Sequence, residues 1–145
     1  MAVKHVLFVC TGNTCRSPMA EALLKEKTTR FDVKSAGVHA FSGSPASEGT
    51  RRVLEERGIK TEHKAQLVTE ELLDWADLVL TMTGGHRDLV ISNFPEFEEK
   101  VYTLKGYVQS EDGAPDIADP IGGPLKAYKH TAQEIEQCIE RLIER

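Results

Sequence analysis

Four short apolar runs of strand length punctuate this chain, and a helical pattern follows each of them. The runs are Lys4 to Val9, Phe31 to Ala36, Asp77 to Met82 and Val101 to Leu104. Gly12-Asn13, Gly37 and Gly84-Gly85 close the first three. Between them, Met19, Ala20, Leu23 and Leu24 share one helical face, and Ser17-Pro18 reads as an N-cap followed by proline at the first helical position. Val53 and Leu54 mark a second helix that stops at Gly58. Thr69-Glu70-Glu71-Leu72 starts a short third helix, and a fourth is expected over Arg87 to Ser92. A Pro/Gly-rich loop from Ser110 to Pro124 precedes a last helix carrying Tyr128, Ala132, Ile135, Ile139 and Leu142 on one face. Strand and helix in alternation demand a parallel sheet covered on both faces. In such sheets ligands bind outside the carboxyl ends of the strands, which directs attention to the loop after the first strand.

Composition narrows the class. At 145 residues the chain suits one α/β domain spanning 1–145, and 40% hydrophobic with 28% charged residues is a globular composition. The run Val6 to Val9 falls far short of the ~20 apolar residues of a membrane helix, and no secretory leader is legible. A net charge of -5 argues against nucleic acid as a partner. Cys10, Cys15 and Cys138 are odd in number and lack metal-ligand spacing, so neither a disulfide scaffold nor a structural metal is expected. A reducing cytoplasm is the matching compartment.

The loop after the first strand reads Cys10-Thr11-Gly12-Asn13-Thr14-Cys15-Arg16-Ser17. With each residue type taken at about one in twenty, Cys, five residues, Arg and Ser/Thr recur by chance about 0.03 times in a chain this size. Successive amides of a Gly-containing loop form an anion-binding nest, and the following helix adds positive potential. Arg16 offers a planar fork matched to two phosphate oxygens. The same field favours a thiolate at Cys10, a nucleophile facing a cradled phosphoryl group. The plainer alternative, Cys10 as a buried strand end and Arg16 as a surface charge, leaves the spacing unexplained. Expelling a basic leaving atom also requires a proton donor, for which the loop before the last helix offers Asp116 and Asp119.

With Cys10 to Pro18 behind an apolar strand, the chain resembles the low-molecular-weight protein tyrosine phosphatase family. Ser35-Ala36-Gly37, Gly58-Ile59, His63-Lys64-Ala65, Ala76-Asp77-Leu78-Val79 and Asp119-Pro120 extend the resemblance over nearly the whole chain. It implies a three-layer domain with a four-stranded parallel sheet flanked by helices and a phosphate-binding loop after strand 1. It also implies a two-step phosphatase without metal or cofactor. By resemblance, Cys10 is the nucleophile, Arg16 the phosphate clamp and Asp119 the general acid. Thr11, Gly12, Asn13, Thr14 and Cys15 would cradle the phosphoryl group, and Asn13, Ser17, Ser35 and His63 would hold the loop in shape. Asn13 suits a left-handed backbone position. The residues themselves do not choose between Asp116 and Asp119; the family's Asp-Pro pair favours the second. His5, His39, His86 and His130 match no motif and read as structural or surface residues.

The substrate side departs from the tyrosine-specific pattern. That pattern carries a bulky aliphatic residue where Thr14 stands, aromatic residues after Asp-Pro and a tryptophan at the rim. This chain has Asp119-Pro120-Ile121-Gly122-Gly123 and, at the rim, Phe41. Losing the aromatic slot weakens the case for a phenyl ring. Thr14 with Asp-Pro-x-Gly-Gly resembles the bacterial protein arginine phosphatase branch, which implies phosphoarginine-containing proteins as substrates. Thr14 as a neutral β-branched swap is the alternative reading, with phosphotyrosine as substrate. The arsenate reductase branch needs two further cysteines that the chain lacks. A phospho-binding module without catalysis would need neither Cys10 nor Asp119. Cys15 is either a partner for a protective disulfide with Cys10 or a packing residue, and a monomer is expected.

Overall fold

The computed structural model describes residues 3–108 and 115–145. Strands β1 (His5–Cys10), β2 (Asp32–Gly37), β3 (Leu78–Thr81) and β4 (Val101–Thr103) form one parallel sheet in the order β2-β1-β3-β4. Helices α1 (Arg16–Lys27), α2 (Glu48–Glu55), α3 (Glu70–Trp75), α4 (Gly84–Asn93), α5 (Leu104–Val108) and α6 (Leu125–Glu144) cover its two faces. The expected architecture is present.

Every side chain of β1 from Val6 to Cys10 is buried, as in a strand sandwiched between two helical layers. Alternation sends Val6 and Phe8 to one face, where they meet Met19, Leu23 and Leu24 of α1, Val53 and Leu54 of α2, and Ile135 and Ile139 of α6. Leu7 and Val9 point to the other face, against Leu73 of α3, Val79, Val90 of α4 and Val101. Cys138 lies in the first of these cores, as its place on the helix face implies.

Three local expectations differ from what is observed. Helix α1 begins at Arg16 with Cys15 as its N-cap, so Ser17 lies inside the first turn and its hydroxyl is turned elsewhere. Helix α4 begins at Gly84, because Thr83 accepts a hydrogen bond from the His86 amide and caps it. The glycines that look like a break are its first turn. A 3₁₀ turn at Pro95–Lys100 and the short α5 have no period long enough to reveal them. The first part of the Pro/Gly-rich loop, 110–114, lies outside the described residues.

The sheet order reverses around β1: its chain continues to β2 on one side, while β3 flanks it on the other. The crevice at a topological switch point therefore opens beyond the carboxyl ends of β1 and β3. The 11–15 loop leaves β1 there, and Met82 to His86 leave β3 beside it.

Candidate active site

Four carbonyls of the loop are bonded on its outer side. Cys10 O accepts from Val38 N, Thr11 O from His39 N, and Thr14 O from Ser47 N, each at 2.9 Å. Asn13 O accepts from His63 Nε2 at 2.6 Å, and the Thr50 hydroxyl adds a second bond to Thr14 O at 3.1 Å. A trans peptide sets each C=O opposite the next residue's N–H. Outward carbonyls at 10, 11, 13 and 14 therefore turn the amides of Thr11, Gly12, Thr14 and Cys15 inward, which makes the nest. Gly37 permits this closeness: a Cβ there would stand 2.5 Å from Thr11 O and 2.9 Å from Asn13 N.

Asn13 holds the turn at φ 57°, the left-handed geometry expected of it. Its Nδ2 donates to Ser17 Oγ at 2.8 Å and to Ser35 Oγ at 2.9 Å, and its Oδ1 accepts from Gln66 N at 3.0 Å. Since Ser17 Oγ accepts from Asn13, its own hydrogen is left for Cys10 Sγ, 2.8 Å away. This bond to sulfur is what Ser17 does in place of capping α1. Ser35 in turn donates to Glu21 Oε1 at 2.6 Å, and His63 Nδ1 stands 4.0 Å from the same oxygen. Glu21 and Gln66 thus tie the four expected loop-supporting residues into one network.

Arg16 is 5% exposed, with Nη1 donating to Ile117 O at 2.9 Å. Its Nη2 faces Asp119 Oδ2 at 3.4 Å and Thr11 Oγ1 at 3.5 Å. Asp119 Oδ1 accepts from Ile121 N at 3.1 Å, an Asx turn that fixes the carboxylate. Asp116 is engaged elsewhere: its Oδ1 accepts from Gly84 N at 2.8 Å, at the start of α4. Of the two candidate acids, Asp119 is the one set against the guanidinium.

Cys15 packs behind the loop, its Sγ 3.3 Å from Ser47 Oγ and 3.7 Å from the Tyr128 hydroxyl. Burial pushes the Tyr128 phenol above its ordinary pKa. Phe41 and Ile121 are the exposed apolar side chains of the flanking loops, Phe41 83% exposed and Ile121 64%. Neither is packed into the core. Among the described residues no cluster of His, Cys, Asp or Glu is placed to hold a metal ion.

Of the two roles expected for His86, structural or surface, the structure shows the buried one. Its Nε2 lies 2.7 Å from Thr11 Oγ1, and its buried Nδ1 has no hydrogen-bond partner among the described residues. Burial, reinforced by the charge of Arg16, lowers its pKa from 6.5 to about 4, so it stands beside the guanidinium as a neutral ring. Glu21, Gln66, Ser47, Thr50 and His86 carried no motif. Only Thr50 left a trace, a polar residue on the face that Val53 and Leu54 mark as buried.

This loop, clamp and sheet can be set beside known proteins. The family model described as "Low molecular weight phosphotyrosine protein phosphatase" matches residues 5–145. The chain belongs to that family. Among low molecular weight phosphatases, it is similar to a "Protein-arginine-phosphatase" of Geobacillus stearothermophilus, 50% identical over 142 residues, 97% of this chain and 95% of that one. The "Protein-arginine-phosphatase" of Bacillus subtilis (strain 168) is 44% identical over 94% of this chain and 93% of its own. A solved arginine phosphatase mutant with a phosphorylated active-site serine superposes with a TM-score of 0.92 at 42% identity, covering 97% of this chain and 93% of that one. Members of the low molecular weight phosphatase family thus share this fold over nearly all of the chain.

Proposed function

We propose that this protein is a protein-arginine phosphatase, working through a phosphocysteine intermediate. The observation that carries the reading is the Asp119 carboxylate standing 3.4 Å from Arg16 above the Cys10 loop. It combines nucleophile, phosphate clamp and proton donor at one strand end. The named arginine phosphatases among the relatives support phosphoarginine as the substrate class. The phosphorylated active-site serine of the structural neighbour supports covalent phosphoryl transfer to Cys10.

In the first step the inward amides and Arg16 hold the three phosphoryl oxygens, and the Cys10 thiolate attacks phosphorus. An S–P bond forms as the P–N bond breaks, and Asp119 gives its proton to the departing nitrogen, releasing arginine as guanidinium. The Ser17 hydroxyl, aimed at Cys10 Sγ, stabilises the thiolate before attack. In the second step Asp119, now a carboxylate, takes a proton from water. The resulting hydroxide attacks phosphorus, the S–P bond breaks, and phosphate leaves with the thiolate restored. Asp119 also offers a negative partner to the cationic guanidinium. Phe41 and Ile121 form the rim over which the protein substrate lies, and the Thr14 hydroxyl offers the guanidinium leaving group a polar contact.

The cytoplasm is the compartment this reading implies, since a nucleophilic thiol stays reduced there. No described helix is long and apolar enough to cross a membrane. A monomer is the state proposed, with light scattering on the purified chain as its check. The deciding experiment compares kcat/KM on a phosphoarginine and a phosphotyrosine peptide for wild type and Thr14→Ile. Wild type should prefer phosphoarginine, and Thr14→Ile should move the preference toward phosphotyrosine. A wild-type preference for phosphotyrosine overturns the substrate; an unmoved preference in the variant overturns the role of Thr14.

A further inference from the structure

The segment bearing Asp119 has no secondary structure of its own, yet it is held at every peptide from Ile117 to Asp119. Ile117 is buried, its amide donating to Met82 O at 2.8 Å and its carbonyl accepting from Arg16. The next residue, Ala118, is gripped at both polar atoms by one face of α6. Thr131 Oγ1 donates to Ala118 O at 3.1 Å, and Ala118 N donates to Glu134 Oε1 at 3.4 Å. Thr131 and Glu134 are three residues apart, so they stand side by side on the helix. The other oxygen of Glu134 accepts from Lys105 Nζ at 2.9 Å. Lys105, at the start of α5, is only 3% exposed.

A lysine buried this deeply is expensive in solvation, and apolar residues of similar volume usually stabilise a fold as well or better. The pair therefore calls for a use other than stability. We propose that Lys105, Glu134 and Thr131 are positioning residues that set where the Asp119 carboxylate stands. Lys105 fixes the Glu134 carboxylate, Glu134 and Thr131 fix the Ala118 peptide, and that peptide fixes the backbone leading into Asp119. The carboxylate's grip on Arg16 is then an outcome of α5 and α6, elements remote from the phosphate loop in sequence. This inference rests on the reading of Asp119 as the general acid.

The test uses two small phosphate monoesters that differ in their need for a proton. Phenyl phosphate has a basic leaving group; 2,4-dinitrophenyl phosphate releases 2,4-dinitrophenolate, which departs without protonation. The quantity is kcat/KM, which reports only the steps up to phosphorylation of Cys10, and the variants are Glu134→Ala, Glu134→Gln, Thr131→Val, Lys105→Met and, as reference, Asp119→Asn. General acid catalysis is worth roughly 10²–10⁴-fold, so a misplaced acid should cost phenyl phosphate about 10-fold or more. Glu134→Ala and Thr131→Val should show that loss while dinitrophenyl phosphate changes by less than about 2-fold. Glu134→Gln, which keeps an acceptor for Ala118 N, should recover part of it. Inhibition by inorganic phosphate should be unchanged, because the phosphate loop is untouched. Should Lys105→Met fail to fold, the isosteric Thr131→Val and Glu134→Gln carry the decision. Equal losses on both esters, or none on either, in variants that bind phosphate normally overturn the clamp if Asp119→Asn is itself selective. An unselective Asp119→Asn overturns the acid assignment, and the clamp with it.

Discussion

Asn13 is the residue on which the phosphate loop turns. Its backbone occupies the left-handed region, and its buried amide bridges Ser17, Ser35 and Gln66. Replacement by alanine strands those partners and strains φ, which together should cost about 2–4 kcal/mol in urea denaturation. Asn13→Gly relieves the backbone alone, so it should recover stability while phosphate affinity stays low. His86 gives a pH signature. Its folded pKa of about 4 lies below the unfolded 6.5, so above pH 6.5 both states are neutral and stability is unaffected. As pH falls from 6.5 to about 4 the unfolded chain takes up a proton that the folded one refuses, and stability declines. Allowing for solvent at the crevice mouth, the decline is about 2 kcal/mol. His86→Asn should flatten this part of the Tm against pH curve; an unchanged curve would place the proton elsewhere.

At the scale of elements, the loop works because β2 and α2 come close to it. Gly37 at the end of β2 leaves no room for a side chain against Thr11 and Asn13, and both obstacles are backbone atoms. Gly37→Ala should therefore displace the loop, lowering stability by about 1–3 kcal/mol and kcat/KM by more than 10-fold on any phosphate substrate. A normal kcat/KM would mean the loop has slack that its bonding does not suggest. Ser47 caps α2 through Thr50 N, and the pair also bonds Thr14 O, so the start of α2 belongs to the site. Strands β1 and β3 were legible as apolar runs, and α6 through its five-residue stripe. The start of α4 is hidden in the sequence because glycines are ordinarily helix breakers, and here a threonine cap overrides them.

At the scale of the whole molecule, the described residues form two cores separated by one sheet. Trp75, the chain's sole tryptophan, packs at the edge of the core beneath α3 and α4, stacked on His5 at 4.6 Å. The larger core lies on the opposite face with α1, α2 and α6. Because β1 contributes to both, they should unfold together, and tryptophan fluorescence and far-UV circular dichroism should give coincident urea transitions. Separate midpoints would show that each face melts independently. The net charge of -5 does not oppose phosphate recognition, because Arg16 and the inward amides act within a few ångströms, inside the ~8 Å screening length of physiological salt.

What the chain's sequence determined by itself is whatever short-range periodicity and spacing encode. The order of strands and helices follows from periodicity along the chain, and the Cys10 to Ser17 loop, with its proposed nucleophile and clamp, lies within one strand–loop–helix unit. Only the tertiary structure shows where the two candidate acids stand, Asp116 on the Gly84 amide and Asp119 facing Arg16. It alone brought His86, Glu21, Gln66 and the Lys105–Glu134 pair to the site. His86, Gln66 and the Lys105–Glu134 pair come from segments far from the loop in the chain, and Glu21, though on α1, meets Ser35 of β2, all through hydrogen bonds with no period and no fixed spacing. A pattern read along the sequence has no coordinate in which such meetings appear; they exist only once the sheet has set which strand ends lie side by side.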